Sequence, residues 1–491
     1  MFSPPDNRTQ GKITRLAAIL FLCFALVTPG HSYQDLKLPN LGEASTSLFS
    51  AEYEYQLGRA WLRIFRGQVP LVNDPLLYSY LEDLVFRLVN HSELQDRRVD
   101  IVVVDNPTIN AFAVPGGVIG IHNGLLMHAQ SEDELATVLA HEIAHLSQRH
   151  FSRRVEFQKQ QQPLTLASML AGFVLMATVG GDVGMAALSA AQAAAQDSAL
   201  RYSRSNEAEA DRIGMQTLVK AGMDPHAAPS MFERMLQISR YSIGNRVPEF
   251  LRTHPLSENR IADTRNRARQ YPKRIQQVDL NYQLMRARVI NQLSDTPEQA
   301  IARFRTELDG SPRAPEASRY GLVVALTNAG RADEAALMLD SLWSRDRDRL
   351  EYIIADSEID IARNAPEQAA EKLKRHLLNS PGNHALVMTY ARALMSAGQP
   401  HVAEEVLLGQ SKRRAGDPHL WYLLAEVQGL AGNITGLHQS RAEYFILNGV
   451  LDEAEKQLRY ALRTVNDNYT VSARINQRLR DVADMRERLD S

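Results

Sequence analysis

Cysteine is almost missing from this chain: Cys23 is the only one in 491 residues. A disulfide scaffold is therefore excluded. An excess of charge of either sign is missing too. There are 55 Lys and Arg against 57 Asp and Glu, a formal net charge of −2. No polyanion-binding surface is expected, and nucleic acid is not an expected partner. Also absent is a clean apolar run of the ~20 residues that a membrane-spanning helix needs. What is present is 44% hydrophobic and 23% charged, a folded soluble composition. The length suits roughly two to four domains.

The N-terminus predicts an export signal over residues 1–32. Arg8, Lys12 and Arg15 form a basic region, and "LAAILFLCFALV" (16–27) is an apolar core. Gly30 and Ser32 are the small residues of a cleavage site. Cys23 lies inside the segment to be removed, behind Leu22, which does not suit a lipoprotein cleavage box. The mature chain then has no thiol chemistry. Its stability must come from its core and from any bound metal.

The next part of the sequence mixes helices with a few strands. "DPLLYSYLEDLVFRLV" (74–89) has helical apolar spacing, and "RVDIVVVDN" (98–106) reads as a strand. "AFAVPGGVIGIHNGLL" (111–126) reads as a hairpin or edge strand, because Pro115 does not suit a central position. "LTLASMLAGFVLMATV" (164–179) and "MAALSAAQAAAQ" (185–196) are expected to form two helices covering a cleft or an oily surface. Residues 203–223 are expected to form a helix ending near Gly222, and 245–260 a loop.

After about residue 276 a repeat emerges. Ala300, Ala335, Ala369 and Ala403 are spaced by 35, 34 and 34 residues, and Gly398 and Gly432 keep the 34-residue step. Pro312, Pro381 and Pro418 punctuate the units. A small residue every 34 positions, where paired helices cross, is the tetratricopeptide signature, and such repeats stack into a solenoid with a concave binding face. Residues 433–491 lose the period and are expected to cap the array.

The chemistry concentrates in "LATVLAHEIAHLSQRH" (135–150). Leu135, Val138, Leu139, Ile143 and Leu146 form one helical stripe, with Ser131 as N-cap and Glu134 completing a capping box. His141 and His145 share a face, so two imidazoles can bind one metal. Glu142 is turned roughly 100° away, where it can act on water as a base without being a ligand. His150, five residues past His145, does not have the spacing of a third histidine ligand. The third ligand is sought in "NEAEAD". Glu207 and Asp211 are i and i+4, so Glu207 can bind metal while Asp211 orients a histidine. Glu209, on another face, is the rival ligand.

"HEIAH" followed by "EAEAD" resembles the gluzincin peptidases of the HtpX and CAAX prenyl protease class. "NAFAVPGGVIGIHNGLL" and "RTHPLSENRI" narrow that resemblance. With the export signal and the repeats, the chain is similar to the periplasmic members of the class that attend β-barrel assembly. The resemblance implies an α+β, mainly helical fold. A gluzincin-type zinc metallopeptidase domain with a small edge-stranded sheet (33–275) precedes an all-α tetratricopeptide solenoid (276–491). It implies one Zn2+ held by His141, His145 and Glu207, with Glu142 as base, Asp211 supporting, and His254 as a regulatory fourth ligand. It also makes 111–122 a substrate-aligning edge strand. The implied partners are misassembled outer-membrane proteins and, through the repeats, the barrel-assembly machinery, with peripheral membrane contact. A chaperone or scaffold with a latent protease domain is the alternative. His122, His128 and His226 are expected to be structural or exposed, and Arg201, Tyr202 and Arg204 to be surface or packing residues.

Overall fold

The computed structural model describes residues 50–159, 204–241, 248–273, 278–465 and 468–490. The export signal, the apolar stretch 164–179, the Ala-rich 185–196, Arg201 and Tyr202 lie outside the described residues. None of the described helices is long and apolar enough to cross a membrane.

Helices α1 (Ala51–Gln68) and α2 (Pro75–His91) lead into strands β1 (Asp100–Val104), β2 (Ala111–Val114) and β3 (Val118–His122). The sheet order is β1-β3-β2. β1 and β3 run parallel, with Asp100 opposite Val118; β2 runs antiparallel to β3, with Ala111 opposite Ile121. Pro115 falls in the turn, where its missing N–H interrupts no ladder. β2 is therefore an edge, as the sequence predicts. Trp61, Phe65 and Phe112 fill one face of the sheet, with Trp61 stacked on Phe65 at 4.5 Å.

Short α3 (Asn123–His128) precedes α4 (Glu132–Ser147), the motif helix, and α5 (His150–Lys159). Every residue of α4 from Glu134 to His145 is buried, so the helix runs through the interior rather than along a surface. Then come α6 (Arg204–Lys220) and α7 (Ala227–Tyr241), with Gly222 at φ 77 closing α6 where expected. The expected loop at 245–260 is instead partly helical: α8 (Glu249–Thr253) and α9 (Glu258–Ala268). Pro248 and Pro255 suggest irregular chain, but Ser257 caps α9 by accepting from the Arg260 N–H, and a capped first turn outweighs a nearby proline.

From α10 (Leu280–Gln292) onward the chain is helical: α11 (Pro297–Asp309), α12 (Pro315–Asn328), α13 (Ala332–Trp343), α14 (Leu350–Ala362), α15 (Pro366–Asn379), α16 (His384–Ser396) and α17 (Pro400–Ser411). They are followed by α18 (Pro418–Leu430), α19 (Ile434–Leu447), α20 (Leu451–Thr464) and α21 (Tyr469–Asp490). Ala300, Ala335, Ala369 and Ala403 are all buried at helix crossings. The turns are just as regular. Gly330, Asn364, Gly398 and Gly432 have φ of 73, 59, 67 and 73°, each 34 residues after the last. In each, the N–H of the next residue reaches back to a helix carbonyl at 2.8–2.9 Å, as in Arg331 to Leu326. That is the left-handed helix stop, and Asn is the residue besides Gly that tolerates it. Loss of the period after 433 does not end the stacking. Leu437 stands where an alanine is due, beside buried Gly436, yet α19 still follows α18 as the second helix of a pair.

The repeats are tied to the first helices by polar contacts. Tyr282 Oη donates to Leu126 O and Ala129 O at 2.9 and 3.0 Å. Arg288 donates to Asp74 Oδ2 at 2.6 Å, while Asp74 Oδ1 caps α2. Farther along, Arg414 donates to Glu82 at 2.5 and 3.1 Å.

Candidate metal centre

Helix α4 starts at Ser131, whose Oγ accepts from the Glu134 N–H at 3.2 Å. The reciprocal half of the capping box is altered. Glu134 accepts from the Gln130 N–H, one residue earlier than expected, and from Arg234. The start is thereby fixed, and ten residues on the helix carries His141, Glu142 and His145 into the interior.

Four donor atoms converge there. His145 Nε2 lies 3.0 Å from His141 Nε2, and His141 Nε2 lies 3.3 Å from His254 Nδ1. Glu207 contributes its carboxylate, 3.1 Å from His254 Nδ1 and 3.4 Å from each of the other two nitrogens. All four residues are buried. A tetrahedron with arms of about 2.0–2.1 Å has edges of about 3.3 Å, so the set fits one divalent ion. The donor chemistry agrees. Ring nitrogens facing each other across 3 Å repel unless a proton or a cation sits between them. Burial opposes an anion at Glu207, but His254, His141 and His145 hold its carboxyl well below the usual range.

Glu142 stands beside the cluster, with Oε1 3.5 Å from His254 Nε2. Burial pushes its carboxyl up, against the pull of His254 and His141. Its oxygens complete no hydrogen bond among the described residues, although the Ala113 amide on β2 is near enough to act on it electrostatically. The group thus lies between the cluster and β2.

Asp211 Oδ1 lies 3.0 Å from His141 Nδ1, off the line of an ideal hydrogen bond. Asp211 is itself gripped by Arg260, Nε to Oδ2 at 2.7 Å and Nη2 to Oδ1 at 2.8 Å, and Arg260 Nη1 reaches Glu207 at 2.9 Å. Arg260 is a residue the sequence reading missed. Its one signal is a position in the first turn of α9, six residues after His254. Glu209 turns away from the cluster to His150 and Arg153, at 3.0 and 3.1 Å. His150, dismissed as a ligand, lies with Nδ1 2.7 Å from His145 Nδ1. His122, His128 and His226 take no part in the cluster; His122 contacts Thr108 and His226 the Tyr271 carbonyl. Arg204 is exposed at the start of α6.

Glu249, on α8, is a second buried acid. Its Oε2 has no hydrogen bond among the described residues, and burial pushes the carboxyl from 4.5 up to about 7. The folded state therefore holds this proton more tightly than the unfolded chain. The resulting stability is complete below about pH 4.5 and is lost as pH rises through about 7. The difference of roughly 2.5 between the two values corresponds to at most about 3–4 kcal/mol. Glu249→Gln is expected to leave stability unchanged at pH 5 and to raise it at pH 8. Denaturant midpoints at the two values check this, and a variant that tracks the parent at both refutes it.

Similarity to known proteins accords with this geometry. The sequence pattern of Peptidase family M48 matches residues 75–268, and that of the tetratricopeptide repeat matches 360–427. The beta-barrel assembly-enhancing protease of Escherichia coli K12 is 34% identical over 465 residues, 94% of each chain. The protein of that name in Yersinia pestis is 32% identical over 456 residues, 93% of each. A mitochondrial metalloendopeptidase, OMA1 of Schizosaccharomyces pombe, is 32% identical over 190 residues, 37% of this chain and 50% of that one.

Proposed function

This chain belongs to peptidase family M48, among the relatives of the bacterial β-barrel assembly-enhancing proteases, and is a metallopeptidase; from that premise we propose that it is an exported zinc endopeptidase acting on misassembled outer-membrane proteins. The observation that carries the reading is the convergence of His141, His145, Glu207 and His254 beside Glu142 and the β2 edge. His141, His145 and Glu207 are the metal ligands, and zinc suits a buried site of nitrogen and carboxylate donors. When bound, the ion would polarise the scissile carbonyl and acidify a water molecule.

The remaining steps belong to this chain's own residues. An unfolded peptide adds as a strand along β2, which leaves its outer edge beside Glu142. Glu142 takes the proton of the attacking water and delivers it to the leaving amine. Its raised affinity for a proton, from burial, suits that exchange. Asp211, clamped by Arg260, fixes the orientation of His141. His254 stands close enough to the other three that it would serve as a fourth ligand, which would hold the enzyme shut while it is bound.

The organisation follows the sequence reading: a cleaved export signal (1–32), the peptidase (33–275) and the repeats (276–491). The relatives' name supports a periplasmic location and a role in barrel assembly. The repeats would dock substrates or the assembly machinery, and contact with the membrane would be peripheral. The second reading, a tetratricopeptide chaperone with a latent protease, is favoured by His254 standing in the cluster. The test uses the mature, zinc-loaded chain and one outer-membrane barrel in two forms, unfolded in buffer and folded in detergent. Discrete fragments are expected from the unfolded form alone. Equal cleavage of both forms, or of neither, removes the substrate assignment.

A further inference from the structure

We propose that His150 is a positioning residue for His145, the middle of a relay that ends on Glu209 and Arg153 and fixes which nitrogen of His145 is offered to the metal. The proposal rests on the reading that His145 is a ligand.

The argument is one of proton accounting. His145 Nε2 faces the cluster, 3.0 Å from His141 Nε2. To offer a lone pair there, the neutral ring must carry its proton on Nδ1. That nitrogen lies 2.7 Å from His150 Nδ1, which must then accept. A neutral His150 that accepts at Nδ1 carries its proton on Nε2, and Nε2 lies 3.0 Å from Glu209 Oε2, which can only accept. The same Glu209 oxygen accepts from Arg153 Nη2 at 3.1 Å. With both rings neutral and Glu209 ionised, one assignment of protons satisfies every step, and it is the assignment that points a lone pair from His145 into the cluster. For the same neutral rings, the opposite tautomer of His145 would set two lone pairs, or two protons, against each other somewhere along the chain.

The backbone is shaped to allow this. Helix α4 ends at Ser147, and Arg149 takes φ 50°, the left-handed region that side chains rarely adopt. That turn swings His150 back beneath His145, where it is fully buried. Arg149 is held in place by Glu54, to which Nε and Nη2 donate at 3.1 and 2.7 Å. The two ligand histidines are thus oriented differently. His141 faces the carboxylate of Asp211 directly, whereas His145 reaches a carboxylate through an imidazole. "HEIAHLSQRH" and the second acid of "EAEAD" then have linked roles: Glu207 for the metal, Glu209 for the relay.

The test compares His150→Leu with His150→Asn in the full mature chain loaded with zinc. Leu fills similar space but accepts nothing; Asn Oδ1 stands close to where the ring Nδ1 does and can accept from His145. Loss of such an outer partner weakens metal affinity roughly 10- to 100-fold. Zinc should pass to a competing chelator faster from His150→Leu by about that factor, and from His150→Asn at close to the parental rate. The cobalt-substituted absorption bands should shift in Leu and return in Asn. Melting of the metal-stripped proteins should be the same for all three. Parental release from His150→Leu overturns the proposal. So does equal loss from both variants, or a stripped His150→Leu that already melts low, since each marks a packing role. His141→Ala is the reference for the reading beneath: if the parent holds no more zinc than His141→Ala, the metal assignment fails and this relay with it.

Discussion

Replacing Glu142 with glutamine is expected to lower peptide cleavage by roughly 10²- to 10⁴-fold, the range for losing a general base, with zinc content unchanged. The substitution keeps the shape and removes only the ability to take a proton. Glu142 is fully buried beside the cluster but is not one of the four converging donors, so metal should be retained. Stability should not fall, because a carboxylate with no completed hydrogen bond among the described residues is replaced by a neutral amide. The measurement is the initial rate on an unfolded barrel, alongside metal analysis and melting. Undiminished cleavage would remove Glu142 from its role. The same variant separates the two functional readings in cells. If barrel assembly is still supported without cleavage, the repeats contribute a chaperone activity of their own; if both are lost together, proteolysis carries the phenotype.

The parts of this protein legible in sequence are those governed by period. His141 and His145, and Glu207 and Asp211, are each i and i+4, and a helix brings such pairs to one face whatever surrounds it. By the same rule Glu209 is turned to another side, and it faces His150 rather than the cluster. The repeat was legible because Ala335, Ala369 and Ala403 keep their step, and the helix-stop turns keep it too. Asn364 holds the same left-handed place as its glycine counterparts, so its role appears only in φ. What escaped depends on tertiary approach. Arg260 bridges Asp211 and Glu207 from a helix nearly 50 residues away in sequence, and no spacing rule singles out such an arginine. His150 was measured against the wrong template, as a third ligand. Its partner is the Nδ1 of His145, reached through an unusual turn at Arg149. The helices α8 and α9 were hidden by two prolines.

Removing a ligand is expected to have the other largest effect, and it also discriminates between the two acids. His141→Ala and Glu207→Ala should each purify with zinc near background and without measurable cleavage, whereas Glu209→Ala should hold close to one zinc per chain on purification, releasing it faster under chelator. The contrast follows from direction. Glu207 lies 3.4 Å from both His141 Nε2 and His145 Nε2, while Glu209 contacts His150 and Arg153 instead. Loss of Glu207 also removes the one anionic donor among the four and the carboxylate that offsets Arg260 Nη1, which weakens the attraction for a divalent cation. Stability gives an independent readout. A ligand bound only by the folded state adds about 4 kcal/mol at a thousand times its dissociation constant. Adding excess zinc should therefore raise the melting temperature of the parent and of Glu209→Ala, and leave those of His141→Ala and Glu207→Ala where they were. If Glu207→Ala kept its zinc and Glu209→Ala lost it, the third ligand would be Glu209, and the cluster of His141, His145, Glu207 and His254 would not be the metal centre.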